Sequence, residues 1–319
     1  MINLKKPNEV SREKKQSISK LTPIPSENKA TNKYMAWLQW EENSCRYDSF
    51  LTVFSLGLYG KFHEFDKTRA DKRHKNHKAY LALCNIAKKL EEINSPAKRR
   101  HFVNEFSDYL YELKIDENRR GEMGCAQELL TLLLPLFHLQ PFIEEEIRCG
   151  FCGFKEERRI RWPLPLKVHQ FGSLQFNSIQ KYFDWFAGSR SPDFCEVCFQ
   201  KELRVVLKQT QIPNLIIVEC INAGKMTISK QNKFEFNSTI ISKSFQAEFE
   251  LVATINQPCP YHFNCSILKP RNFNFQEKDE SRFEWFLHDN IENEGSLVAI
   301  NNISELWDQN PILLFYARS

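Results

Sequence analysis

The chain has 319 residues, 42% apolar and 13% aromatic, enough for a sizeable core in one large domain or two ordinary ones. The formal net charge is +4, and residues 1–33 carry +5 of it, so the remainder of the chain is close to neutral. This balance argues against a nucleic-acid surface on the folded part. The most apolar stretch, "LLTLLLPLFHL", is short and interrupted by Pro135 and His138, so neither export nor a membrane span is expected.

The first 33 residues read as a basic tail rich in Ser, Asn, Pro and Lys, which we predict to be disordered. A solvated tail and a nuclear import signal both remain open for it. The folded domain is expected to begin at Tyr34, where the composition changes to "YMAWLQW". Ten cysteines without an export signal favour the cytosol or nucleus, where thiols serve as metal ligands, catalytic groups or core residues.

The stretch "NSCRYDSFLTVF", residues 43–54, places Cys45 at the start of a predicted helix that ends at Gly60. Asn43 or Ser44 could cap this helix, and its unpaired N–H groups would favour a thiolate at Cys45. A free cysteine is also among the most commonly buried residues, so a purely structural Cys45 stays open at this point.

Further along, the apolar rhythm first predicts helices and then strands. "KAYLALCNIAKKLEEI" and "CAQELLTLLLPLF" are typical of helices, the second stopping near Pro135. Past Pro141, "RVVLKQ", "NLIIVEC", "FQAEFELVATI" and "PILLFYAR" read as strands, and the third alternates apolar and polar residues. Helices followed by antiparallel strands predict an α+β domain.

Two C-x2-C pairs separated by 42 residues give the clearest chemical signal. Cysteines in two such pairs at this spacing are typical of a tetrahedral four-thiolate zinc site, which has no open position for water. We therefore predict a structural zinc that joins two distant strands. The ligands would be Cys149, Cys152, Cys195 and Cys198.

A catalytic thiol needs an imidazole and a group that orients the ring. Among eight histidines, His262 begins the strand-like "HFNCSIL", and Asp289 follows 27 residues later in "WFLHDN". Neighbouring strands that carry a base and a carboxylate can hold an imidazole beside a helix-borne thiol. A competing hypothesis takes Cys259, His262 and Cys265 as metal ligands, which would require a sharp turn at Pro260.

Taken in order, these motifs resemble the ubiquitin-specific proteases, a family of papain-like cysteine isopeptidases. Asn43–Ser49 is similar to the nucleophile box Asn-Thr-Cys-Tyr-Met-Asn-Ser, and "MGCAQELL" to Gln-Gln-Asp-Ala-x-Glu-Phe-Leu, with Cys125 in place of Asp. "IPNLIIVEC", "YHF", "WFLHDN" and "LLFYAR" resemble the family's later strands. In "YHF", Tyr261 stands where the family has glycine, a change expected to narrow the channel for the substrate's tail.

This resemblance implies a papain-like α+β fold with a helical thumb at about 34–140, zinc-bearing fingers at about 141–210 and an antiparallel β palm at about 211–319. It implies that Cys45 is the nucleophile, His262 its base and Asp289 the orienting carboxylate. Trp40 stands where the family has its oxyanion Asn, so the oxyanion donor is assigned to Gln39, with Asn43 as the substitute. His288 and Asp48 are expected to be structural.

The implied activity is cleavage after the C-terminal Gly-Gly of ubiquitin or a ubiquitin-like modifier such as SUMO. The expected partners are the modifier and its conjugates, bound by a monomer in the cytoplasm or nucleus, with neither membrane nor nucleic acid involved. Two alternatives stay open, namely an inactive relative that binds ubiquitin or SUMO, and a zinc-ribbon interaction or nucleic-acid protein.

Overall fold

A computed structural model of the chain contains one large sheet, one small sheet and a set of helices. It describes residues 35–38, 41, 43–58, 75–133, 143–160, 164–167, 178–187, 194–195, 197–200, 203–208, 215–221, 237–242, 246–270, 283–289, 291–293, 295–300 and 304–319. The predicted basic tail, its boundary at Tyr34 and the proposed donor Gln39 lie outside these residues. Lys33–Ser319 form one compact unit, and its division into thumb, fingers and palm stays a prediction.

The helices are α1 Cys45–Thr52, α2 Lys75–Glu92, α3 Pro96–Glu112, α4 Ala126–Leu133, α5 Ile179–Ala187 and α6 Ser304–Asp308. The π-helical segment Val53–Leu58 directly continues α1. The strands are β1 Met35–Ala36, β2 Ile143–Cys149, β3 Lys155–Ile160, β4 Leu164–Lys167, β5 Leu203–Lys208, β6 Leu215–Ile221, β7 Thr239–Ser242, β8 Ala247–Cys259, β9 His262–Pro270, β10 Phe283–His288, β11 Ser296–Ile300 and β12 Pro311–Arg318. Among the residues that the structure describes, no helix is long and apolar enough to cross a membrane.

Within the described residues, nine strands form the large sheet in the order β1-β11-β10-β9-β8-β12-β6-β4, and β7 pairs with β8. Every pairing in it is antiparallel except β4 with β6. The predicted α+β class with an antiparallel sheet is therefore confirmed. Strand β12 lies between β8 and β6, and its first seven residues are buried, as its unbroken apolar sequence requires.

Helix α1 lies in the centre of the main core, and all eight of its residues are buried. It packs against β9, α4 and α3, while the π-helical segment packs against β8, β9 and α2. At Gly57 an added Cβ would lie 3.5 Å from the Cβ of Ala253, so this helix runs close to the sheet. Because of this cover, β8 is buried without interruption from Leu251 to Asn256, and the predicted one-sided alternation holds only in its first residues.

Helix α3 was not predicted from the sequence. Ser95 caps it by accepting a hydrogen bond from the Lys98 N–H at 3.5 Å, and Pro96 occupies its first turn. Its buried side includes Arg99, whose guanidinium lies 4.3 Å from the ring of Trp37 and donates to the Leu90 carbonyl at 2.9 Å. An arginine on the buried side breaks the apolar pattern by which a helix is recognised.

The small sheet has the order β3-β2-β5 and a core of its own. That core consists of Ile147, Cys149 and Cys195, with Phe154 and Cys198 packed against it. So few apolar side chains bury little surface, so hydrophobic burial contributes less to this sheet than to the large one.

Candidate active site and metal centre

Cys45 is the first residue of α1 and is 5% exposed. Its Sγ lies 3.8 Å from the carbonyl oxygen of Tyr261, in the turn between β8 and β9. Ser44 occupies the N-cap position but makes no side-chain capping bond, since its Oγ donates to Asp48 Oδ2 at 2.7 Å instead. The predicted capping by the Ser44 side chain is therefore wrong.

Asn43 precedes the helix in the left-handed backbone region, with φ of 59°. Its Nδ2 donates to the carbonyl of Gly121 at 2.9 Å. This bond links the residue before α1 to the loop before α4, and it uses one of the two N–H donors of the amide predicted as the substitute oxyanion donor.

His262 opens β9 and Asp289 directly follows β10, its antiparallel neighbour. The Nε2 of His262 lies 3.1 Å from Oδ1 and 3.0 Å from Oδ2 of Asp289. The other ring nitrogen, Nδ1, is buried without a hydrogen-bond partner among the described residues. The predicted contact between His262 and Asp289 is therefore present. It uses Nε2 and leaves Nδ1 available to a thiol.

The hydrogen bond with Asp289, followed by the neighbouring Cys45, raises the pKa of His262 to about 10, although its partial burial opposes the shift. Because Nδ1 has no hydrogen-bond partner among the described residues, Cys45 is a near neighbour of the ring that is not bonded to it. An imidazolium is therefore the favoured form at neutral pH, and it is next to a thiol.

Asp289 is fully buried. Burial alone would raise its pKa, but hydrogen bonds from His262, the Glu292 N–H, the Asn264 side chain and the Ile291 N–H together hold it well below its ordinary value. Oδ1 accepts both backbone N–H groups at 2.9 Å, and Oδ2 accepts the Asn264 amide at 3.1 Å. The carboxylate is thus fixed in its ionised form.

Buried ion pairs hold the start of α1 in place. Asp48 accepts two hydrogen bonds from Arg100, at 2.6 Å and 2.8 Å. The guanidinium of Arg46, 1% exposed, lies 3.0 Å from Asp116 Oδ2, which also accepts the Tyr47 hydroxyl. Removing one partner of a buried ion pair leaves the other charge buried without a counter-ion, which destabilises the fold. These pairs therefore hold the helix that carries Cys45 in place.

Arg46 also explains the glycine in "MGCAQELL". An added Cβ at Gly124 would lie 2.2 Å from Arg46 Nη1, so a side chain at this position would displace the guanidinium. No local sequence pattern predicts this arrangement, because the contact joins residues 78 positions apart.

His288 is structural in its contacts, as expected. It is buried and its Nε2 donates to the Leu38 carbonyl at 3.1 Å. Burial lowers its pKa, so the ring is neutral. It contributes no charge to the site.

The four predicted zinc ligands come together. The Sγ atoms of Cys149, Cys152, Cys195 and Cys198 all lie within 4.8 Å of one another. The Sγ atoms of Cys149 and Cys198 are 3.6 Å apart, and those of Cys152 and Cys195 are 3.7 Å apart. Zn–S bonds of about 2.3 Å in a tetrahedron place sulfurs about 3.8 Å apart, so the donor set fits zinc.

Both pairs are held by the same kind of turn. The Cys149 N–H donates to the Phe154 carbonyl at 2.8 Å, and the Cys195 N–H donates to the Gln200 carbonyl at 3.0 Å. The residue after the second cysteine has a positive φ in each turn, 73° at Gly153 and 58° at Phe199. The backbone therefore forms two matching knuckles that present the thiols.

The competing cluster of Cys259, His262 and Cys265 does not assemble. Among the described residues, the four-cysteine cluster is the one group of His, Cys, Asp and Glu whose ligand atoms meet closely enough to hold a metal ion. Cys259 is exposed, whereas Cys265 is fully buried in the main core.

No protein-family model and no curated protein matches the chain. The fold is similar to that of chains in solved structures of the SAGA DUB module, which contains Ubp8, Sgf11, Sus1 and Sgf73. The structure bound to monoubiquitin aligns with a TM-score of 0.60 and 14% identity over 89% of this chain and 69% of that chain. The structure bound to ubiquitin aldehyde aligns with a TM-score of 0.61 and 14% identity over the same shares. The mixed helical and antiparallel fold of this chain thus resembles the fold of Ubp8, a deubiquitinase.

Proposed function

We propose that the chain is a cysteine isopeptidase that cleaves after the C-terminal Gly-Gly of ubiquitin or a ubiquitin-like modifier. The observation that carries the proposal is the His262–Asp289 pair beside Cys45, at 3.0 Å between Nε2 and Oδ2. The similarity of the fold to that of a ubiquitin-bound DUB module supports the substrate class. An imidazolium that is bonded through one nitrogen to a carboxylate is suited to stabilise a thiolate on its other side, the proton of the thiol having passed to the ring.

In the proposed reaction the Cys45 thiolate attacks the carbonyl carbon of the modifier's C-terminal glycine, and the carbonyl oxygen becomes an oxyanion. As the C–N bond breaks, the imidazolium of His262 gives its proton to the departing lysine amine. His262 then takes a proton from water, whose oxygen attacks the thioester and releases the modifier with Cys45 as the leaving thiolate. Asp289 keeps the ring oriented and stabilises its charged form.

The Cys45 N–H and Gln39 are the proposed oxyanion donors. Asn43 is the substitute, with one of its two amide N–H donors bonded to the Gly121 carbonyl. The zinc proposed at the four cysteines is structural, since four thiolate ligands complete a tetrahedral shell and leave no position for substrate.

Ubiquitin is the first choice of modifier and SUMO the alternative. Sgf11, Sus1 and Sgf73 accompany Ubp8 in the matched structures, so we propose that this chain also works in a complex, in place of the monomer expected from the sequence. A cytosolic or nuclear location remains part of the proposal.

Turnover of defined substrates tests the function. Ubiquitin and SUMO, each joined to a lysine peptide by an isopeptide bond, would be incubated with the wild-type chain and with Cys45→Ala. We expect release of free ubiquitin by the wild type alone. Release of SUMO alone would change the modifier, whereas binding without release of either would leave an inactive modifier-binding relative.

A further inference from the structure

Polar side chains occupy every second position at the start of β9, and Asn256 on the neighbouring β8 pairs with one of them. His262, Asn264 and Ser266 point to one face of the strand and are all buried, Asn264 to 1% exposed. A buried amide is costly unless its donors and acceptor are paired. Asn264 therefore needs partners.

The amide of Asn264 has a partner on each side. Its Nδ2 donates to Asp289 Oδ2 at 3.1 Å and to Gln309 Oε1 at 3.0 Å. Its Oδ1 accepts from Asn256 Nδ2 at 2.8 Å. An ionised carboxylate can only accept, so the nitrogen must be the atom that faces Asp289, and the orientation of the amide is determined.

The sheet register explains why Asn264 and Asp289 meet. His288 pairs with Cys265 across β10 and β9, and continuing that register by one residue brings Asp289 opposite Asn264. His262 lies two residues before Asn264 on the same face, so both side chains approach the same carboxylate.

Asn264 complements the backbone bonds of Asp289. Oδ1 is held by the N–H groups of Ile291 and Glu292, whereas the side-chain donors to Oδ2 are Asn264 and His262. With one oxygen fixed by the backbone and the other by Asn264, the carboxylate plane cannot rotate away from the ring. The hydrogen bond from Asn264 thus helps to hold Oδ2 at 3.0 Å from Nε2 of His262.

We propose that Asn264 is a positioning residue that fixes the carboxylate of Asp289 and, through it, the imidazole of His262 towards Cys45. Asn256 fixes the orientation of the Asn264 amide by donating a hydrogen bond to its Oδ1. This inference rests on the proposed function, because it assigns a supporting residue to the same site.

A double-mutant cycle on the full chain tests the inference without any modifier. The rate of Cys45 alkylation by iodoacetamide would be measured by mass spectrometry in the wild type, Asn264→Ala, Asp289→Ala and the double variant. If Asn264 acts through Asp289, its loss slows alkylation about tenfold in the wild-type background and less than twofold when Asp289 is already absent. Equal slowing in both backgrounds, or no slowing, would overturn the proposal.

Two further variants guard against a general loss of structure. Asn264→Ser keeps a hydroxyl donor and should retain part of the rate, which gives a second route to the result if the alanine variant does not fold. Asn237→Ala is the control, because the Asn237 amide also makes a hydrogen bond, accepting the Gln180 N–H at 2.9 Å, but does so away from the site. This variant should leave the alkylation rate unchanged. An effect of Asn237→Ala equal to that of Asn264→Ala would assign a structural role and contradict the inference.

The two proposals can fail separately. If the cycle is non-additive but no isopeptide substrate is cleaved, positioning by Asn264 stands and the proposed function fails. If substrates are cleaved and the cycle is additive, the function stands and the positioning role fails.

Discussion

Tyr261, next to His262, adopts a backbone conformation that suits glycine better than tyrosine. Its φ is 66°, in the left-handed region, and its side chain is 76% exposed. A residue with a Cβ pays about 1 kcal/mol or more to stay there, and little buried surface is lost when the ring is removed. The resemblance to a family with glycine at this position is consistent with that geometry.

We therefore predict that Tyr261→Gly raises the free energy of unfolding by about 1 kcal/mol relative to Tyr261→Ala, which keeps the Cβ and its strain. Urea denaturation of both variants measures the difference. A glycine variant less stable than the alanine variant would contradict the assigned backbone strain.

Individual site residues differed in how far the sequence could predict them. Cys45, His262 and Asp289 were predicted from their chemistry and order, and their catalytic roles stay predictions. The support from Asn264 was missed, although polar residues at every second position of "HFNCSIL" could have indicated it. The bond between Arg46 and Asp116 depends on how a loop packs against α1, which no local pattern encodes.

Among the elements, those with a regular apolar rhythm were predicted best. Helix α2 and strand β8 follow from the period of their apolar residues, and α4 and β12 follow from strongly apolar runs. Helix α3 was not predicted, because Arg99 and Arg100 lie on its buried side and interrupt the apolar pattern. There Arg100 pairs with Asp48. Strands β2 and β3 escaped because their charged sequences, "IEEEIRC" and "KEERRI", belong to a small sheet with little core.

The stability of the small sheet should depend on the proposed zinc more than that of the large sheet does. We predict about one zinc per chain, and we predict that Cys195→Ser removes it and speeds amide hydrogen exchange in β2, β3 and β5. Strands β8, β9 and β12 belong to the separate main core and should keep their protection. Metal analysis and hydrogen exchange with mass spectrometry measure both effects.

Cys259→Ser is the matched control, because Cys259 is exposed and lies outside the four-cysteine cluster. It should retain the zinc and the exchange pattern of the wild type. Purified protein without zinc, or an unchanged small sheet after Cys195→Ser, would contradict the structural role of the metal.

For the molecule as a whole, the His262–Asp289 pair predicts a defined pH dependence of stability. The pKa of His262 rises from 6.5 to about 10, so its contribution is complete below about pH 6.5 and is lost as the pH rises towards 10. The pKa of Asp289 is lowered from 3.8, so its contribution is present above that pH and is lost in acid. The pair should therefore stabilise the fold most between about pH 4 and 6.5.

Urea denaturation of the wild type and His262→Gln from about pH 4 to about pH 10 measures the contribution of His262. The difference in unfolding free energy between them should shrink as the pH rises from about 6.5 to 10. The contribution of His288 to the unfolding free energy should depend on pH in the opposite direction. Burial lowers its pKa, so its contribution is lost as the pH falls. A difference for His262→Gln that does not change with pH would contradict the ion pair.

The most direct test of the account is covalent capture of Cys45 by ubiquitin carrying a C-terminal electrophile, followed by peptide mass spectrometry. If Cys45 is the nucleophile and His262 its base, the wild type forms one adduct, located on Cys45. Cys45→Ala should form none, and His262→Ala should form it at least about tenfold more slowly while remaining folded. An adduct on another cysteine, or labelling that does not depend on His262, would contradict the account.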